Sequence, residues 1–176
     1  MARIADAFAA VQRSGRPGLV AYVTAGDPDL DRSGDILVAL GSNGADVLEV
    51  GVPFSDPLAD GPVIQRASER ALRNGVTLRK TLDLIRRRRA EIAAPIVLFT
   101  YANPVLRMGE PAFARAAAHA GVDGVLVLDL PVEEADAFRR HLVDADLDPI
   151  FLLSPTNTDD RIRRSAELGR GFLYVI

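Results

Sequence analysis

Six short apolar runs recur along the chain: LVAYVT (19–24), DVLEVG (46–51), PIVLFT (95–100), GVLVLD (124–129), PIFLLS (149–154) and GFLYVI (171–176). They are rich in Val, Ile and Leu with little polar alternation, the pattern of strands covered on both faces. Between them lie segments with helix-period apolar residues, among them Ile36, Leu37 and Leu40, then Leu78, Leu82 and Ile85, then Phe138, Leu142 and Val143. Gly44, Gly75, Gly121 and Gly169 fall near helix ends, where a left-handed cap favours glycine. This alternation predicts a parallel sheet with helical crossovers.

A parallel sheet of this kind is either an open doubly wound sheet or a (β/α)8 barrel. A nucleotide-binding doubly wound sheet carries a glycine-rich phosphate turn after its first strand, but here LVAYVT leads into AGDPDLD. Polar residues instead gather after several strands, at Asp27, Glu49 to Asp60, Tyr101 to Asn103, Asp129 to Glu134 and Ser154 to Asp160. A barrel builds its site at that rim. The expected fold is therefore an α/β TIM barrel, incomplete, with about six parallel strands and flanking helices, and with residues 1–176 as one partial barrel domain. Two strands short of closure, such a chain is expected to be a piece of a longer protein. On its own it would expose two strand edges, with poor stability and little activity.

Composition narrows the chemistry. A formal net charge of -3 leaves no footprint for nucleic acid or an anionic membrane, and no apolar run approaches a bilayer's thickness. The N-terminal MARIADAFAAVQRSG reads as an amphipathic helix, not a signal peptide. The absence of cysteine excludes disulfides and thiolate chemistry and suits the cytoplasm. The one lysine, Lys80, and the two histidines, His119 and His141, lie in helical stretches, poorly placed for a Schiff base or a metal site. The arginine run 86–89 reads as a solvated helix end. Carboxylates, tyrosines and backbone groups are left to carry any catalysis.

The stretch VLEVGVPFSDPLADGPVIQ (47–65) concentrates them. Strand alternation puts Glu49 on the side of Val47, opposite Leu48 and Val50. If that side faces the barrel mouth, desolvation raises its pKa toward neutrality and suits it to general acid–base work. The competing reading is a buried glutamate satisfied by an arginine or by backbone amides. Three prolines stiffen the loop that follows. Pro62 suits a first helical position, with Gly61 or Asp60 as the cap, so Asp60 is either a capping residue or a second carboxylate returned toward Glu49. Asp56, in Ser-Asp-Pro, reads locally as a turn residue.

That stretch resembles the signature of the tryptophan synthase alpha chain family. YVTAGDPD, TYANPV, GVLVLDLPVEEA, FLLSPTNTDDRI and GFLYVI resemble the same family in the same order, so the likeness covers nearly the whole chain. It implies a lyase of tryptophan biosynthesis that cleaves indole-3-glycerol phosphate to indole and glyceraldehyde 3-phosphate by a retro-aldol reaction, with no metal. Glu49 would match the catalytic glutamate and Asp60 the aspartate that holds the indole N–H. Tyr174 would match a supporting tyrosine, or else be a core aromatic. Tyr22, Phe99, Tyr101, Leu126, Leu128 and Leu152 would form the indole slot, although a barrel needs apolar layers there anyway. Tyr22 departs from the phenylalanine common at its position. Pro53, Phe54, Ser55, Asp56 and Pro57 would face the beta chain in an αββα heterotetramer, and pyridoxal phosphate would belong to that partner, none to this chain. Two rival readings are a fragment that only binds the beta chain and another phosphosugar barrel enzyme with a similar rim.

Overall fold

The computed structural model describes residues 3–176. Among these, six strands run β1 (Val20–Thr24), β2 (Val47–Gly51), β3 (Ile96–Thr100), β4 (Gly124–Val127), β5 (Asp148–Leu153) and β6 (Leu173–Val175). Every neighbouring pair is parallel and the spatial order is β1-β2-β3-β4-β5-β6. An order that never reverses is the arc of a barrel; a doubly wound sheet would show a switch point. The helices are α1 (Arg3–Ser14), α2 (Leu30–Ser42), α3 (Pro62–Arg73), α4 (Leu78–Arg88), α5 (Ala102–Met108), α6 (Glu110–Ala120), α7 (Asp136–Asp144) and α8 (Asp159–Leu168). No helix among the described residues is long and apolar enough to cross a membrane.

The strands are apolar on both faces because each face meets a different core. Leu48, Val50, Ile96, Leu98 and Val125 pack outward against Leu37, Leu84, Ile85, Phe113 and Leu142 of the helices. Val47, Val97, Leu126 and Ile150 point inward and meet Ile4 of α1. The N-terminal helix thus closes the lower end of the arc. Ile4 is fully buried, and a methyl group added at Gly124 would lie 2.8 Å from its tip, so the strand passes the helix only without a side chain there. Phe8 and Phe172 extend the same contact, with ring centroids 5.4 Å apart.

Three local expectations are corrected. Gly44, Gly75 and Gly121 have positive φ, but Gly169 is extended, with φ -75°. Its lack of a side chain serves proximity instead, since a methyl there would lie 2.7 Å from the Ser165 carbonyl. The non-glycine residue with positive φ among the described residues is Asp146, just after α7. Second, β4 ends at Val127, short of Asp129: the exposed Asp129 leaves the sheet and its carboxylate accepts the Ala102 N–H at 2.6 Å. Third, the arginine run divides. Arg86, Arg87 and Arg88 pair with surface acids at the end of α4. Arg89 turns inward, bridging Asp123 at 3.0 Å and donating to the Ile92 and Ala94 carbonyls, while Asp123 also accepts the Ile96 N–H. It ties the start of β3 to the start of β4.

Truncating Ile4 to alanine removes the side chain that fills the lower barrel. The expected cost is about 2–4 kcal/mol in a urea or guanidinium melt. An unchanged midpoint would show that α1 does not close the core.

Candidate active site

Parallel registry lines up the inward residues of neighbouring strands. Tyr22 pairs with Glu49 and Glu49 with Val97; one step further along, Gly51 pairs with Phe99 and Phe99 with Leu126. Glu49 thus stands directly above Val47 in the inner layer, as strand alternation predicts. It is 3% exposed, and its Oε1 is buried with no hydrogen-bond partner among the described residues. Neither an arginine nor a backbone amide satisfies that oxygen. Burial pushes the carboxyl up to about 7, and burial is the sole cause.

The side chains around it are aromatic. Tyr22 meets Phe99 edge to face at 5.3 Å, and Phe99 meets Tyr174 in the same manner at 5.9 Å. Leu126 is fully buried beneath them, and Leu128 and Tyr174 pack half-buried against the same inner cluster. Leu152 is also half-buried and pairs with Tyr174 in the β5–β6 register. Gly51 is a position that sequence reading passed over. A methyl group there would overlap the Tyr22 hydroxyl, so glycine at the end of β2 lets the phenol lean across the mouth. Burial raises the Tyr22 hydroxyl to about 12, and the nearby charges of Asp60 and Glu49 add to the rise. Tyr174 is raised by burial and by Glu49. Tyr22 therefore feels both carboxylates, which places them at one mouth.

Asp60 reaches that mouth by an unanticipated route. The cap of α3 is Gly61, with no side-chain capping bond, and Pro62 opens the helix. Asp60 is thus no capping residue. Its carboxyl is raised by burial and held back by a hydrogen bond with the Tyr101 hydroxyl. That same hydroxyl accepts the Ala59 N–H at 3.2 Å, and the Tyr101 ring stacks on Phe54 at 4.8 Å. Tyr101 is buried and acts as a strut beneath the second loop, beyond the slot-wall role the resemblance implies. The loop itself has two sides. Pro53 is buried and Phe54 is half-buried against Tyr101, whereas Ser55 and Asp56 are exposed and Ser55 donates to the Asp56 carboxylate at 2.6 Å. Leu58, which sequence reading left out, is 96% exposed on the outward side, and Pro57 is half-buried.

Chemically, the mouth offers one carboxyl able to give or take a proton near neutral pH, a second, partly desolvated carboxyl under the influence of a phenol, and apolar aromatic walls. Among the described residues no group of three or more His, Cys, Asp or Glu is placed to hold a metal ion. Lys80 and His119 are exposed on α4 and α6, and His141 is half-buried on α7.

The raised Glu49 carboxyl has a stability signature. In the folded chain it titrates at about 7, against 4.5 for a free glutamate. Folding favours its protonated form, so the contribution is intact below pH 4.5 and is lost as pH rises to 7. At about 1.4 kcal/mol per pH unit, the loss amounts to about 3 kcal/mol. The difference in unfolding free energy between the native chain and Glu49→Gln should change by that order between pH 4 and 8, with the glutamine variant gaining as pH rises. A pH-independent difference would mean that Glu49 is solvated.

The sequence profile of the tryptophan synthase alpha chain family matches residues 8–176. The tryptophan synthase alpha chain of Burkholderia thailandensis is 56% identical over 177 aligned positions, covering 100% of this chain and 65% of the relative. The chain thus spans just under two thirds of that relative's length. Among solved structures, tryptophan synthase subunit alpha from Legionella pneumophila superposes with a TM-score of 0.96 at 39% identity, over 100% of this chain and 68% of that one. The aminoacrylate-bound tryptophan synthase of M. tuberculosis gives 0.95 at 40% identity, over 99% of this chain and 70% of that one. The partial barrel, its inward glutamate and these matches agree: the chain belongs to the tryptophan synthase alpha chain family.

Proposed function

We propose that this chain, as one partial barrel domain over residues 1–176, supplies the catalytic carboxylates for retro-aldol cleavage of indole-3-glycerol phosphate to indole and glyceraldehyde 3-phosphate in tryptophan biosynthesis. The observation that carries this reading is the unpartnered Glu49 carboxyl, poised at about 7 inside an aromatic mouth that it shares with Asp60. Glu49 delivers a proton to C3 of the indole ring. The electrons of the breaking carbon–carbon bond then return to the ring as the adjacent glycerol hydroxyl forms the aldehyde and gives its proton back to Glu49. One proton given and one taken leave the enzyme unchanged. Asp60 accepts the indole N–H and stabilises the positive charge that ring protonation creates, an electrostatic role made stronger by partial burial. Because the ring itself holds the electrons, no Schiff base is needed.

Tyr22, Phe99, Leu126, Leu128 and Leu152 serve as walls of the indole slot, and Tyr174 supports Glu49. Ser55, Asp56 and Pro57 face a tryptophan synthase beta chain, with Pro53 and Phe54 anchoring that loop from inside. In an αββα heterotetramer the partner would carry the pyridoxal phosphate. The reaction belongs to the cytoplasm, where amino-acid biosynthesis draws its substrates.

Glu49→Gln should lower indole release from indole-3-glycerol phosphate by about a hundred- to ten-thousand-fold while substrate analogue binding persists. Turnover retained in this variant refutes the assignment. Asp56→Ala should reduce the stimulation of cleavage by added beta chain more than it reduces cleavage by the chain alone, read from paired assays with and without the partner. Equal loss in both assays would place Asp56 in the chemistry or the folding of the loop, away from the interface.

A further inference from the structure

Behind the second loop lies a cavity of about 460 Å³, which opens between the first turn of α4, α5 and the loop's Pro53, Phe54 and Ser55, the residues assigned above to the partner-facing loop. Val52, Val76, Leu78 and Met108 give it apolar surface, and Arg79 and Arg107 are its charged lining residues. Both arginines are exposed, and neither makes an ion pair or a side-chain hydrogen bond among the described residues. No carboxylate lines the cavity to neutralise them. Space of this size suits a small organic molecule, and guanidinium groups recognise carboxylate or phosphate oxygens in pairs.

We propose that this cavity binds a small amphipathic anion: an aromatic or branched aliphatic body seated on the apolar surface, with a carboxylate or phosphate held by Arg79 and Arg107. The site is separate from the Glu49 mouth but mechanically joined to it. Phe54 lines the cavity and stacks on Tyr101 with the ring planes 27° apart. The Tyr101 hydroxyl in turn accepts the Ala59 amide, in the residue just before Asp60. A ligand pressing on Phe54 therefore moves the strut that holds the backbone leading into Asp60. This inference goes beyond the lyase reading and stands without it, since binding is observable whether or not the chain cleaves anything.

The test is a titration of the intact protein with 2-naphthoate, and with uncharged 2-naphthamide as control, followed by backbone amide shifts in NMR. The expected result is a saturable response at Val76, Thr77, Asn103 and Met108, with the Ala59 and Asp60 amides moving on the same curve. Arg79→Gln with Arg107→Gln should weaken naphthoate binding by about tenfold or more, to the level of the amide. Tyr101→Phe, which leaves every lining residue of the cavity in place, should keep the binding and lose the response at Asp60. Shifts confined to Glu49, Phe99 and Leu126 would overturn the proposal, as would naphthoate affinity indifferent to both arginines. Binding in the cavity with no movement at Asp60 would overturn the link between the sites. Loss of the cavity resonances on adding beta chain, with no response to naphthoate, would overturn the small-molecule site in favour of an acidic segment of that partner.

Discussion

A carboxyl group enclosed by hydrocarbon, with no donor for its inner oxygen, governs this structure. Removing an ionised glutamate from water without compensation costs several kcal/mol, and the chain meets that cost by keeping Glu49 protonated up to about neutral pH. Everything near it maintains that condition. Val47 fills the layer below, Val97 lies alongside in register, and Leu126 and the Tyr22–Phe99–Tyr174 row wall the sides. An arginine or a free amide within reach would return the pKa to the ordinary carboxylate range and remove the proton that chemistry at neutral pH requires.

The second loop then divides its residues by direction. Its inward half, Pro53 and Phe54, packs down on Tyr101, and its outward half, Ser55, Asp56 and Leu58, lies open. The hydroxyl that receives the Ala59 amide also acts to lower the Asp60 carboxyl's pKa against the rise from burial, so one tyrosine bears on both the backbone of the loop and the charge it returns. The loop base is fixed as well: the Ala25 N–H donates to Gly51 O and the Val52 N–H to Phe99 O, which carries sheet pairing past the ends of the strands. Prolines limit the conformations of such a loop; the strut selects one among them. A force applied to the outer half has few ways to dissipate before it reaches Asp60.

What could be read from the sequence follows from periodicity. Because side chains alternate along a strand, the single polar letter in VLEVG had to share a face with Val47, and it does. The βα repeat likewise dictated a parallel sheet, and the polar residues after several strands favoured the barrel, whose strands follow chain order. What stayed illegible depends on contacts between residues far apart. The resemblance gives Tyr101 only as slot wall, whereas its hydroxyl partner, the Ala59 amide, lies 42 residues upstream. Asp60 looked like a cap because it stands near Pro62, but Gly61 takes that place and frees the carboxyl. Arg89 is one of four consecutive arginines with nothing local to distinguish it, and only the helix end, turning into a short 3-10 segment, sends it toward Asp123. Gly169 and Asp146 show the same limit for backbone: a glycine can mark a close approach as readily as a left-handed turn, and an aspartate can adopt the turn itself.

The two ends of the barrel interior obey opposite rules, and that opposition favours the upper end as the proposed site. At the lower end, fully buried Ile4 occupies the space beside Gly124 and packs with Val47, Val97, Leu126 and Ile150. At the upper end, Gly51 withholds a side chain, and the room it leaves is taken by a phenol near two carboxylates. Both glycines serve close approach, but one admits hydrocarbon and the other a hydroxyl. Hydrocarbon packing at the bottom contributes stability that the top gives back through a buried acid set among aromatic rings. The stabilising and the reactive residues therefore share the same strands, one layer apart, and a change in either layer is felt in the other through the backbone that carries both.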